Sequence, residues 1–144
     1  MDDRAEQGFK LFADVGLFSE NQVLLIKYKD PEDYDGQSGW FLPDSSIKYL
    51  EHPAKAAERF LRDQLDLQYI PLDLDHIESF RGNDGTWHLS FHYRANIRHA
   101  KVSAAKQIGK AEWFPLTALP AKDEVAHHGW SLNTLKKMMH PQEG

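Results

Sequence analysis

The residues able to do chemistry gather around WFLPDSSIKYLEHPAKAAERFLRDQLDL, residues 40–67. Here Phe60, Asp63 and Gln64 fall on one face of an amphipathic helix and project beside the loop that carries Glu51. That face is where a site would be. A second concentration is RHAKVSAAKQIGK, residues 98–110, which holds Arg98, Lys101, Lys106 and Lys110 and no acid. Such a segment can meet an anionic ligand such as phosphate, or it can be a solvated surface loop.

Histidine and carboxylate spacing argues against simple metal motifs. His88 and His92 are four apart on an expected strand, so their Cα atoms stand ~13 Å apart and the pair cannot share one ion. His127 and His128 are adjacent in an expected loop, where neighbouring side chains diverge. Surface or hydrogen-bonded roles are expected for all eight histidines. The polar row His88, Ser90, His92 and Arg94 either lines a cleft or faces solvent. The acid-rich loop KDPEDYDGQSG invites calcium, but an EF-hand alternation would need an acid at Pro31 and a bidentate Glu at Leu42. A solvated loop is expected there.

After a polar start, FKLFADVGLF and QVLLIKY read as two strands joined near Ser19, Glu20 and Asn21. A Trp-led strand at residues 40–43 then runs through a Ser-rich turn into the helix. Pro53 suits its first position, because it has no N–H to leave unbonded and its φ is already helical. Ala54, Ala57, Leu61 and Leu65 draw an apolar stripe that must pack on a sheet. The stretch from Gln68 to Gly82 is extended, and Pro71 makes its first part an edge or a bulged entry. From Trp87 the alternation is clean, with Trp87, Leu89, Phe91, Tyr93, Ala95 and Ile97 on one face. AEWFPL follows as a short strand and TALPAKD as a turn. Ser131 is expected to cap a last helix with Leu132, Leu135, Met138 and Met139 as its stripe and Trp130 and Leu135 as a hydrophobic staple.

Residues 45–67 resemble the Nudix box, G-x5-E-x7-R-E-U-x-E-E-x-G-U with U aliphatic. Ser45 stands at the first Gly, while Glu51, Arg59, Leu61 and Leu67 match the Glu, the Arg and two aliphatic positions. Phe60 replaces the Glu after the Arg, Asp63 and Gln64 replace the Glu pair, and Asp66 replaces the second Gly. VLLIKY before the box, WFLP leading in, and AEWFPLTALP with its closing helix resemble the family's usual framing. The resemblance implies an α/β/α sandwich with a mixed β-sheet between helices. It spans residues 9–140 as one domain, after a polar segment at 1–8 and before a tail at 141–144.

Nudix hydrolases cleave a nucleoside diphosphate linked to another moiety, using Mg2+ or Mn2+ held by the helix glutamates. Magnesium takes oxygen ligands at ~2.0 to 2.1 Å and keeps several waters, so it needs two or three carboxylates on one helix face. The resemblance leaves Glu51, Arg59 and Asp63 as residual catalytic positions. Phe60 has no oxygen to offer, Gln64 only a neutral one, and Asp63 is a carbon shorter than Glu. If a metal binds, the expected ligands are Glu51 and Asp63, with Asp44 and Glu112 as recruits from outside the box. The alternative for those two is a turn cap or a solvent-facing carboxylate. Phe60, Gln64, Arg98 and Lys101 are the candidate ligand contacts, with Phe60 either a stacking platform or an enlargement of the core. Three functions follow: a non-catalytic or weakly active module binding a nucleotide-like or other phosphorylated ligand, a divergent Mg2+ or Mn2+ hydrolase, or a structural partner-binding domain. No cofactor is certain under the first.

Composition bounds the rest. At 144 residues, 41% hydrophobic and 27% charged, the chain fits one domain with its own core. Without cysteine there is no disulfide, zinc-thiolate site or thiol nucleophile. A net charge of −5 has the wrong sign for sequence-independent nucleic-acid binding. No secretory signal and no apolar run of ~20 residues is present, so no membrane partner and a cytoplasmic home are expected.

Overall fold

The computed structural model describes residues 8–30, 38–82, 84–98 and 102–139. The strands are β1 (Phe9–Ser19), β2 (Gln22–Tyr28), β3 (Asp44–Ser46), β4 (Asp73–Arg81), β5 (Trp87–Asn96) and β6 (Ile108–Pro115). Two α-helices accompany them among the described residues, α1 (Pro53–Leu65) and α2 (Ala126–Met139), with a 3-10 turn at Lys122–Glu124 before the second. The sheet runs β4-β5-β1-β2-β6, with β3 paired to β1. Only β1 and β5 run parallel, from Phe9 opposite Trp87 to Phe18 opposite Asn96, and the other pairings are antiparallel. This is the expected mixed sheet between helices.

Alternation along the central strands divides the core in two. Ala13, Val15, Leu17, Leu24, Ile26, Tyr93 and Ala95 meet α1 through Ala56, Ala57, Phe60, Leu61 and Leu65. Phe18, Val23 and Leu25 meet Leu135 and Met138 of α2, together with Trp40 and Leu42. Helix α1 starts with Pro53 in its first turn and an N-cap at His52, whose Nδ1 accepts the Ala54 N–H at 3.0 Å. It ends at Asp66, left-handed at φ 55, where the Asp66 and Leu67 amides close on the Arg62 and Leu61 carbonyls.

The Trp-led strand is reduced to single bridges, Trp40 with Val125 and Phe41 with Ile26, so the strand entering the box is β3. Residues 108–110 of the basic segment belong to β6, and Lys101 lies outside the described residues. Ser131 is not the cap of the last helix: a left-handed turn at His127, His128 and Gly129 precedes the regular turns of α2. Its Oγ instead accepts the buried Leu42 N–H at 3.2 Å. Gly129 is required in that turn, since φ is 86 and a Cβ would meet Lys122 Cγ at 2.7 Å. None of the helices described is long and apolar enough to cross a membrane.

Candidate functional site

Glu51 sits in the loop between β3 and α1, where Arg59 reaches back from the second turn of the helix. Arg59 Nε donates to Glu51 Oε2 at 2.9 Å and Nη2 to Oε1 at 3.1 Å. The Lys48 N–H adds a third bond to Oε1 at 3.0 Å. Arg59 Nη2 also donates to the Ser46 carbonyl at 2.9 Å, so one guanidinium ties the end of β3 and the Glu51 loop to α1. These bonds, first the one from Arg59 and then the one from Lys48, lower the Glu51 pKa from 4.5 to about 2. The same pairing raises that of Arg59.

The other box positions do not join Glu51. Phe60 is 1% exposed and belongs to the core under α1, which gives it the enlarged-core role and leaves no ring face for a stacked ligand. Gln64 is buried in the same stripe, its Nε2 donating to the Asp44 carbonyl at 3.1 Å and its Oε1 without a hydrogen-bond partner. Asp63 points outward, its side chain 55% exposed and paired with Arg62 at 3.1 Å. Asp44 Oδ1 accepts the Tyr28 hydroxyl at 2.6 Å. Glu112 stands opposite Leu25, and directly paired residues share a sheet face, so it lies on the α2 side, away from α1. Arg98 is exposed at the end of β5.

This arrangement does not fit the Mg2+ or Mn2+ that the box resemblance implies. Among the described residues, no three ligating side chains converge around Glu51 and Asp63. The one buried oxygen the helix leaves open, Gln64 Oε1, is neutral.

A denser polar cluster lies on the opposite face of the sheet, beneath α2. The row from His88 to Arg94 is not a solvent-facing surface: His92 is fully buried, and Arg94 Nη1 donates to the Met138 carbonyl at 3.0 Å. His92 Nδ1 bonds Asp14 Oδ1 at 2.6 Å, and His76 Nδ1 bonds Asp75 Oδ2 at 2.5 Å. Glu78 Oε1 is 3.0 Å from His92 Nε2 and 3.5 Å from His76 Nε2. Burial works against a charged His92, but Asp14 and Glu78 outweigh it and leave its pKa raised. Burial also raises Asp14, against the attraction of His92. His76 and Glu78 were not among the residues singled out from sequence. Their two-residue spacing on an edge strand was the only available signal, and it acquires meaning only once His76 is placed opposite His92.

No family model and no curated protein matches the sequence. Solved structures do. A MutT Nudix hydrolase from Burkholderia pseudomallei superposes with a TM-score of 0.73 at 17% identity, covering 94% of this chain and 99% of its own. A Nudix hydrolase from Nitrosomonas europaea gives a TM-score of 0.73 at 15% identity, over 92% of this chain and 89% of its own. The Nudix domain of Shewanella oneidensis NrtR, solved with ADP ribose, gives 0.72 at 18% identity, over 97% and 92%. TM-scores above 0.7 with near-complete mutual coverage give the chain the Nudix fold.

Proposed function

We propose that this Nudix-fold domain binds a nucleotide-like or other phosphorylated small ligand and has lost, or nearly lost, hydrolysis. One observation carries the reading: both oxygens of Glu51 are engaged by Arg59 and the Lys48 N–H, while Phe60 is sunk in the core and Asp63 is turned to Arg62. A helix so arranged presents too few free carboxylate oxygens to grip a hydrated divalent ion. On the ligand side, the NrtR domain of the same fold was solved with ADP ribose. The loop before α1 offers an exposed aromatic ring at Tyr49 next to Lys48, and Arg98 supplies a further exposed cation.

Two assays on the same nucleoside diphosphate panel test this, each with Mg2+ or Mn2+. Thermal shift is expected to find a stabilising member, ADP ribose being the first to try, and product release is expected to stay at background. Cleavage that Glu51→Gln abolishes would establish the divergent hydrolase instead. Neither stabilisation nor release by any member would leave the structural partner-binding domain.

A further inference from the structure

The geometry points to a transition-metal site, of the kind that takes Zn2+, formed by His76, Glu78 and His92 between the β4-β5 edge of the sheet and α2. It lies across the sheet from α1, so it is independent of the function proposed above.

The backbone builds the cluster. His76 pairs directly with His92 in the β4-β5 ladder, and Glu78, two residues on, points to the same face. The register shifts between Leu74 and His76, which leaves Asp75 in a bulge with its carboxylate on the His76 ring. One ligating atom from each of His76, Glu78 and His92 lies within 4.8 Å of the other two. In a tetrahedral site with bonds of 2.0 to 2.1 Å, neighbouring donors are roughly 3.3 Å apart. The two imidazole-to-Glu78 separations, 3.5 and 3.0 Å, fall on either side of that value.

Tautomers follow from the second layer of contacts. Each Nδ1 is held against a carboxylate, Asp75 for His76 and Asp14 for His92, so the proton of a neutral ring belongs on Nδ1 and the lone pair on Nε2. Carboxylate-buttressed imidazoles of this kind are how proteins orient and strengthen metal-ligating histidine. Both Nε2 atoms are buried without a hydrogen-bond partner, although Glu78 Oε1 is close to each. At His92 the separation is that of an ion pair, yet the oxygen is off the line that a ring N–H would need.

The His76 and His92 rings lie 4.4 Å apart with Glu78 Oε1 close to both Nε2 atoms, and with neutral rings these electron-rich atoms repel unless a cation lies among them. Asp14, Asp75 and Glu78 bring three negative charges, against which stand Lys137, 3.5 Å from Glu78 Oε2, and Arg94, whose guanidinium bonds the Met138 carbonyl. Protons on the rings are one way to supply positive charge. A divalent ion supplies it while satisfying both Nε2 atoms and Glu78 together. Nitrogen-rich ligation selects zinc-like ions over Mg2+ or Ca2+. A cavity of about 370 Å³ lined by Glu78, Trp130, Asn133, Lys136 and Lys137 shares Glu78 with the cluster.

The test is equilibrium dialysis of chelator-treated protein against Zn2+, followed by Co2+ as a spectroscopic substitute. One ion per chain is expected, with a Co2+ visible spectrum of nitrogen and oxygen ligation that Zn2+ displaces. Glu78→Gln and His76→Ala are expected to weaken binding by more than roughly 100-fold and Asp75→Asn by about 10- to 100-fold. Joint alanine replacement of His127 and His128 is expected to change nothing. Should a variant not fold, Co2+ bound to the unaltered chain is expected to broaden the NMR signals of His76, Glu78 and His92 first. Failure of the unaltered chain to saturate, binding that persists in folded Glu78→Gln and His76→Ala, loss in the His127 and His128 variant, or broadening centred elsewhere would each overturn the site.

Discussion

Arg59 holds Glu51 from both sides, Nε on Oε2 and Nη2 on Oε1, eight residues apart in sequence across the start of α1. The pair is mostly shielded, with side-chain exposures of 18% and 17%, so it differs from an open surface ion pair. Glu51→Gln keeps the size of the side chain but removes the charge that two donors share. Chemical denaturation is expected to show a loss of about 1 to 2 kcal/mol, in the range for charge-assisted hydrogen bonds. A catalytic carboxylate with no structural duty would leave stability unchanged on the same substitution.

The same pair has a pH signature. Glu51 has a folded pKa of about 2 against 4.5 for the free group, so the folded state binds its proton less readily than the unfolded chain. Its stabilisation is therefore fully present above pH ~4.5 and declines as pH falls from there through about 2. Denaturation midpoints across that window are expected to fall less steeply for Glu51→Gln than for the unaltered chain. Parallel curves would show that the pair is not formed in solution.

Restoring the box glutamate at Phe60 is expected to fail. The ring is almost wholly buried among Ala56, Leu61 and the sheet, so Phe60→Glu places an unpaired carboxyl in an apolar layer, while Phe60→Ala leaves a cavity costing ~3 to 5 kcal/mol. Phe60→Glu should be destabilised at least as much as Phe60→Ala at neutral pH and should not gain nucleotide hydrolysis. A folded, hydrolytically active Phe60→Glu protein would mean that the helix can turn this position toward the ligand side.

The parts legible in the sequence are those where one local signal dominates. QVLLIKY is β2 residue for residue, the alternation from Trp87 is β5, and Pro53 and Asp66 bracket α1. The family framing gave the order of elements, because turn chemistry and apolar periodicity agree along it. What stayed hidden depends on pairing at a distance. Trp40 and Phe41 have the composition of a strand, yet each makes one bridge, Trp40 to Val125 and Phe41 to Ile26 of β2. Asp63 and Gln64 are adjacent, and the helix rotation that buries the second exposes the first. His88 and His92 were correctly too far apart to share an ion along one strand. The partner of His92 is His76, which only the β4-β5 register and its bulge bring opposite.

A single side-chain bond joins the entry to the box with the closing helix. Ser131 Oγ accepts the Leu42 N–H, 89 residues away in sequence, at a point where Leu42 is 2% exposed and its amide has left the sheet. Ser131→Ala removes the acceptor and leaves a buried donor without a partner, a defect worth about 1 to 3 kcal/mol. In a domain of this size that is a fall in melting temperature of roughly 3 to 10 °C. Amide hydrogen exchange supplies the specific readout: Leu42 is expected to lose protection in Ser131→Ala while β5 amides such as Tyr93 keep theirs relative to global stability. Equal loss at both would mean that the hydroxyl supports the packing of α2 generally and that Leu42 has found another acceptor.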